Sequence, residues 1–106
     1  MRGTAILIAL LGIAPNLALA QNPDPNTGRN LAANCANCHG TNGVSTGGMP
    51  ALAGRPKAQL LQMLIDFRDG KRPATVMQQL AKGYNDAQLD ALTTYLSAQK
   101  TVQEAR

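Results

Sequence analysis

Cys35-Ala36-Asn37-Cys38-His39 contains both cysteines and the single histidine of a 106-residue chain. Two thiols three positions apart, followed at once by an imidazole, form the pattern of covalent haem attachment. Each thiol can form a thioether with one of the two vinyl groups along one porphyrin edge. The next residue is then held beneath the iron, where its ring nitrogen can ligate. Other chemistries also use a C-x-x-C pair. A thioredoxin-like redox pair belongs in a βαβ unit, and no strand pattern precedes Cys35. A zinc site wants four ligands, more than two Cys and one His supply. A disulfide of this spacing closes a loop too small to stabilise much. The haem reading uses all three residues.

The rest of the chain is consistent with a molecule that needs such a group. Met1-Arg2 is a short positive start, Ala5 to Ala14 is an apolar run broken only by Gly12, and Ala18-Leu19-Ala20 is an A-x-A cleavage site. This is the layout of a secretory signal peptide over residues 1–20. The rival, a retained anchor, needs about 20 apolar residues in succession, and Pro15-Asn16 interrupt the run first. Cleavage leaves a single domain over residues 21–106, with no membrane-spanning segment, on the far side of a membrane. Arg2 leaves with the signal, so the net charge of +4 falls by one. The three aromatics, Phe67, Tyr84 and Tyr95, all lie in this domain. A core built with one Phe and no Trp is marginal at this size, and such domains usually need a disulfide, a metal or a cofactor.

Helical spacing organises this domain. Asn26 or Thr27 can cap a first helix carrying Leu31, Ala32 and Cys35, ending near residues 38–40. Residues 40–54 hold five glycines and one proline and read as a loop long enough to be functional. Pro56 occupies the place of a first helical residue. Leu60, Met63, Leu64 and Phe67 lie on one stripe, so a second helix is expected over 57–69, with Gly70 as its left-handed stop. Pro73 opens a shorter segment near 74–82, ended by Gly83. Asn85-Asp86-Ala87-Gln88 resembles a capping box and starts a last helix over 86–98. The expectation is an all-α fold of four helical segments, with Leu31, Leu52, Leu61, Leu64, Phe67, Leu80, Leu92 and Leu96 as its core.

Carried across nearly the whole of residues 21–106, these features resemble the class I c-type cytochromes with one haem. The resembling residues are Gly28-Arg29-Asn30-Leu31-Ala32-Ala33 before Cys35, the Cys35–His39 motif with Gly40, and Pro50-Ala51-Leu52-Ala53-Gly54. They continue with Asp66-Phe67-Arg68-Asp69-Gly70 and the closing 89–96 stretch. More narrowly, Ala74-Thr75-Val76-Met77 with Ala81-Lys82-Gly83-Tyr84 is similar to the cytochrome subunit of flavocytochrome c sulfide dehydrogenases. The resemblance implies a small class I cytochrome c fold wrapped around one covalently attached haem c. It also implies a close crossing of the first and last helices, with Gly28 meeting Tyr95.

His39 fills one axial position of the iron. A pure electron carrier keeps both filled, and Met opposite His raises the potential. Met63 lies on a helix stripe and reads as core filler. Met77, 38 residues after His39, easily crosses to the other face. Met49 is ten residues on, and a ten-residue span of up to about 33 Å does not exclude it. The resemblance implies Met77 as the distal ligand, and Pro50 as the residue whose carbonyl accepts a hydrogen bond from the ligand His.

These readings imply an exported, periplasmic electron-transfer protein with one covalent haem c, attached at Cys35 and Cys38 and ligated by His39 and Met77. It is not itself a catalyst. The resemblance suggests the haem subunit that accepts electrons from a sulfide-oxidising flavoprotein. A freely diffusing carrier serving a terminal oxidase is the alternative. A haem enzyme or gas sensor with an open distal site is a third, which Met77 argues against. Lys57, Arg68, Lys71, Arg72 and Lys82 cluster around the distal segment and together could form a basic rim for an acidic redox protein. Nucleic acid is not an expected partner of an exported chain without interleaved aromatics.

Overall fold

Each break in the helical spacing falls where the chain needs a turn, and the result is four α-helices among the described residues. They are α1 (Thr27–His39), α2 (Lys57–Arg68), α3 (Met77–Lys82) and α4 (Asp86–Ser97), with one 3-10 turn at Thr41–Gly43. This computed structural model describes residues 24–101 and 103–104, and none of them forms a strand. The expected signal peptide, residues 1–20, lies outside the described residues, as does the start of the expected domain.

The helix ends follow from local hydrogen bonding. Asn26 stands at the N-cap of α1 without a side-chain cap bond. Asp24 does that work instead: its Oδ1 accepts from Asn26 N at 2.8 Å and its carbonyl from Thr27 N at 2.9 Å. Pro56 is the N-cap of α2 and not its first helical residue, because its ψ of 129° is extended. Its carbonyl still starts the ladder, accepting from Gln59 N and Leu60 N at 3.0 and 3.1 Å. Gly70, at φ 74°, turns the chain after α2 as expected. In α4 the capping box is complete: Gln88 N donates to Asn85 Oδ1 at 2.9 Å and Asn85 N to Gln88 Oε1 at 3.0 Å.

The segment after Pro73 differs from the sequence expectation. Helix α3 begins at Met77, three residues later than the 74–82 reading, with Val76 at its N-cap. Residues 74–76 instead run non-helically along the wall of a cavity. Gln78 Nε2 reaches back to the Arg72 carbonyl at 3.2 Å, providing a partner that a longer helix would have supplied from its own backbone.

Helix α4 packs across α1, and α2 joins both α3 and α4. The α1–α4 crossing depends on Gly28: a Cβ there would lie 2.5 Å from the Ala91 carbonyl oxygen and 3.0 Å from Tyr95 Cβ. The core is Ala32, Leu60, Leu89, Leu92 and Leu96. Fully burying each leucine contributes about 1.5–3 kcal/mol, an upper figure because unfolded chains already bury some apolar surface. Leu31, Leu52, Leu61 and Leu64 are half-buried against it. Phe67 is half-buried as well. Leu80 departs from the expected core list, being 43% exposed, because it faces the cavity from short α3. Leu60 and Leu89, absent from that list, take the deepest places with Leu92 and Leu96.

Candidate functional site

One helical turn separates Cys35 from Cys38, so both thiols fall on one face near the C-terminus of α1. They line a cavity of about 570 Å³ together with His39, within the roughly 300–1,000 Å³ of cofactor and ligand pockets. Cys35 is half-buried and Cys38 exposed. Burial pushes the Cys35 thiol up, with a weaker opposing pull from a backbone hydrogen bond, so it is protonated at neutral pH. The cavity walls come from α1, the 49–55 loop, α2, the 72–81 segment and α4. Leucine, methionine, phenylalanine, valine and alanine make up most of them. This is an apolar chamber with few polar groups.

His39 is the best-defined of those groups. It is only 8% exposed, and its Nδ1 lies 2.6 Å from the Pro50 carbonyl oxygen. A carbonyl can only accept, so Nδ1 carries a proton, and in the neutral ring the lone pair is left on Nε2. Among the described residues Nε2 has no protein partner, yet no fully buried side-chain nitrogen or oxygen lacks one. Nε2 therefore opens onto the cavity. A neutral imidazole with its other nitrogen donated to a carbonyl is the arrangement of a metal-ligating histidine.

All three methionines of residues 24–101 line the same cavity. Met77 opens α3, Met63 lies mid-way along α2, and Met49 sits in the loop at 44% exposure. Met63 thus reaches the cavity and is not only core filler. Met49 precedes Pro50, whose carbonyl holds the His39 ring. Met77 stands on an element that packs against α2, another wall. Among the described residues no three His, Cys, Asp or Glu side chains gather to hold a bare metal ion. With no strand before Cys35 among the described residues, the thioredoxin-like setting is also missing there.

Two features of the site were not singled out from sequence. Arg55 lines the cavity, its Nε donating to the Ala51 carbonyl at 2.7 Å. Tyr84 lines it too, its hydroxyl donating to the Leu31 carbonyl at 3.1 Å and accepting from Asn34 Nδ2 at 3.3 Å. The Tyr84 contacts join residues about 50 positions apart, which no local spacing signals.

The cation cluster is only partly a rim. Lys57 pairs with Asp90 at 2.6 Å, and Arg68 with Asp86 at 2.6 Å and Asp69 at 3.3 Å. The hydrogen bonds it donates to Asp86 and then Asp69 push the Arg68 guanidinium further up from its ordinary value. Lys71, Arg72 and Lys82 form no ion pair among the described residues. Arg72 lies on the cavity, its guanidinium 5.3 Å above the centre of the Phe67 ring, which anchors one cation at the chamber's edge.

Comparisons with known proteins agree with this construction. The family model described as cytochrome C oxidase, cbb3-type, subunit III matches residues 23–96. The cytochrome subunit of sulfide dehydrogenase from Chlorobaculum tepidum is 38% identical over 68 residues, 64% of this chain and 62% of that protein. A thiosulfate dehydrogenase electron acceptor from Thiomonas intermedia is 40% identical over 98 residues, 91% of this chain and 42% of that protein. Cytochrome c4 from Pseudomonas aeruginosa is 36% identical over 78 residues, 73% of this chain and 39% of that protein. The chain spans less than two thirds of the length of each of these relatives. With four helices around an apolar chamber and the Cys35–His39 motif on its wall, the chain belongs to the cytochrome c family, in the group described as cbb3-type cytochrome c oxidase subunit III, and has the small class I cytochrome c fold.

Proposed function

We propose that residues 21–106, freed from a signal peptide over 1–20, form a periplasmic electron carrier. It binds one haem c covalently through Cys35 and Cys38, with His39 and Met77 as axial ligands. One observation carries the reading: the Pro50 carbonyl fixes the protonated Nδ1 of His39, leaving Nε2 open to an apolar cavity beside both thiols. The chamber fits the group, since a flat apolar ring needs leucine-rich walls, two thiols at one edge and a nitrogen donor beneath the metal. When bound, haem iron supplies a site for one electron, alternating between ferric and ferrous.

The chain's own residues do the rest. His39 ligates through Nε2, held in its tautomer by Pro50. Met77, which lines the same chamber, would supply a soft thioether, which would favour the ferrous form. Leu52, Leu64 and Phe67 keep water away, which raises the potential further. With His39 and Met77 both holding the iron, the haem would offer no open site to a substrate, so the chain would carry electrons and not itself catalyse.

The partner proposed is a redox protein, a dehydrogenase acting on an inorganic sulfur compound. A flavoprotein subunit of a sulfide-oxidising complex is the first choice, because the sulfide dehydrogenase relative matches at 38% identity. A freely diffusing acceptor for a thiosulfate dehydrogenase is the second reading, favoured by relatives of that name aligned over 91% and 92% of the chain.

Export of the full chain in a host with haem-attachment machinery tests the proposal. The mature protein should begin at Gln21 and keep its haem through denaturing electrophoresis, with a mass gain of one haem. Cys35→Ala should halve the thioether links and His39→Ala should prevent a low-spin product. Colourless mature protein with two free thiols would refute the reading. Co-purification of a flavoprotein, against recovery of a free monomer, separates the two partner readings.

A further inference from the structure

Behind His39 the chain reverses through Gly40 and the 3-10 turn Thr41–Gly43. Gly40 and Gly43 have φ of 82° and 76°, where a side chain is strained. Between them Asn42 has φ 56° and ψ 20°, the one non-glycine residue with positive φ among those described. Asparagine tolerates that conformation better than most residues, but glycine tolerates it better still. What Asn42 adds is its side-chain amide, and the amide is used: the Tyr95 hydroxyl on α4 donates to Asn42 Oδ1 at 2.5 Å, across 53 positions.

The other side of this turn carries the loop that holds His39. The Gly43 carbonyl accepts from the backbone N–H of both Leu52 and Ala53, at 2.8 and 3.1 Å. Gly54 N donates to the Leu96 carbonyl at 3.0 Å. Two residues before Leu52 is Pro50, whose carbonyl accepts from His39 Nδ1. Adjacent residues of α4, Tyr95 and Leu96, therefore fasten both the turn behind His39 and the loop bearing its hydrogen-bond acceptor.

From this geometry we infer that Tyr95 and Asn42 are positioning residues for His39, setting its hydrogen bond to Pro50 through Gly43 and the 52–53 amides. The inference rests on the haem ligation proposed above. The bond from Nδ1 to a carbonyl makes the imidazole a more basic ligand, and a more basic ligand favours ferric iron. When the Tyr95–Asn42 bond is lost, the turn relaxes, the Pro50 carbonyl moves off, and the reduction potential rises. A solvent-exposed hydrogen bond adds little to global stability, so its effect is read locally and at the iron.

Two substitutions isolate the bond. Tyr95→Phe keeps the ring, and the Cβ that meets Gly28, and removes the hydroxyl. Asn42→Gly keeps the left-handed backbone and removes the acceptor. Both are made in the haem-loaded mature protein, and midpoint potential and amide hydrogen exchange are measured. The expected result is an equal upward shift of potential in both variants, with no further shift in the double variant. Exchange at Leu52 and Ala53 should quicken by about 2–10-fold, the loss of roughly one hydrogen bond. Unchanged potentials with haem attached, additive shifts, or unaltered exchange at those amides would each overturn it. If the wild-type protein attaches no haem, the functional reading fails on that ground, and exchange at Leu52 and Ala53 alone decides this inference.

Discussion

The Pro50 carbonyl accepts a hydrogen bond from Nδ1 of His39 at 2.6 Å, eleven residues along the chain. Pro50 follows Met49, so this contact ties the loop that carries Met49 to the His39 ring. The proposed distal ligand is Met77, at the start of α3 and on the lining of the same chamber. Met77→Ala should lower the potential and give a haem that takes up cyanide or imidazole readily, with loss of the weak long-wavelength ferric band of sulfur ligation. Met49→Ala and Met63→Ala should keep that band. A band lost in Met49→Ala and kept in Met77→Ala would reverse the assignment.

The α1–α4 crossing yields a stability prediction with an internal control. A Cβ at Gly28 would sit 2.5 Å from the Ala91 carbonyl oxygen, and backbone cannot swing away as a flexible side chain can. Overpacking of this kind costs about 1–3 kcal/mol, offset by the roughly 0.5–1 kcal/mol that alanine gains over glycine within a helix. Gly28→Ala should therefore destabilise by about 1–2 kcal/mol in denaturant titration. Gly47→Ala, where nothing lies within 4 Å, should change stability little. Equal stability of the two variants would mean that the helices can slide apart at no cost.

Sequence alone marks the places where a local rule is also the physical cause. The Asn85–Gln88 box, the Gly70 turn and the α2 stripe are all local, and the structure has each of them. So is the Cys35–His39 motif, which the cavity brings together with Met77. The errors arise where tertiary contacts override local preference. Pro73 reads as a helix opener, yet residues 74–76 stay non-helical along the chamber and α3 waits until Met77. Leu80 has the residue type of a core position, but it lines a cavity built for something other than protein. Leu60 and Leu89 lie on the same apolar stripes as the named core residues, and only the packing of α4 against both α1 and α2 decides which positions go deepest. Tyr84 could not be singled out, because its partners lie about 50 positions away, nor Arg55, because its place on the cavity wall depends on the fold.

The capping box at the start of α4 can be measured directly. Asn85→Ala removes the acceptor for Gln88 N, and loss of an N-cap of this kind costs about 1 kcal/mol. In a domain of this size that corresponds to a fall in Tm of about 4–8 °C. Gln88→Ala leaves the N-cap bond in place, so it should cost less. Because α4 carries Leu89, Leu92, Thr93 and Leu96, all buried, fraying at its start reaches the core. If Gln88→Ala proved the more damaging, the Gln88 side chain and not the cap would be the main anchor.

The last prediction concerns the partner. Lys57 and Arg68 are tied to carboxylates, so the cations of that cluster left to steer an approaching protein are Lys71, Arg72 and Lys82. Arg72 lies on the cavity itself, held above Phe67. Steering of this type raises association rates by about 10–10³-fold at low salt, and it fades as the screening length drops from about 10 Å at 0.1 M to about 3 Å at 1 M. Reversing Lys71 or Lys82 to Glu should slow electron transfer with an acidic redox partner several-fold in dilute buffer, and the rates should converge with wild type at high salt. Lys100→Glu changes the charge equally but away from the chamber, on a separate cleft with Asn42 and Val44, and should slow transfer less. Rates indifferent to salt in every variant would show that the partner docks through apolar contact at the chamber mouth, with no help from this charge.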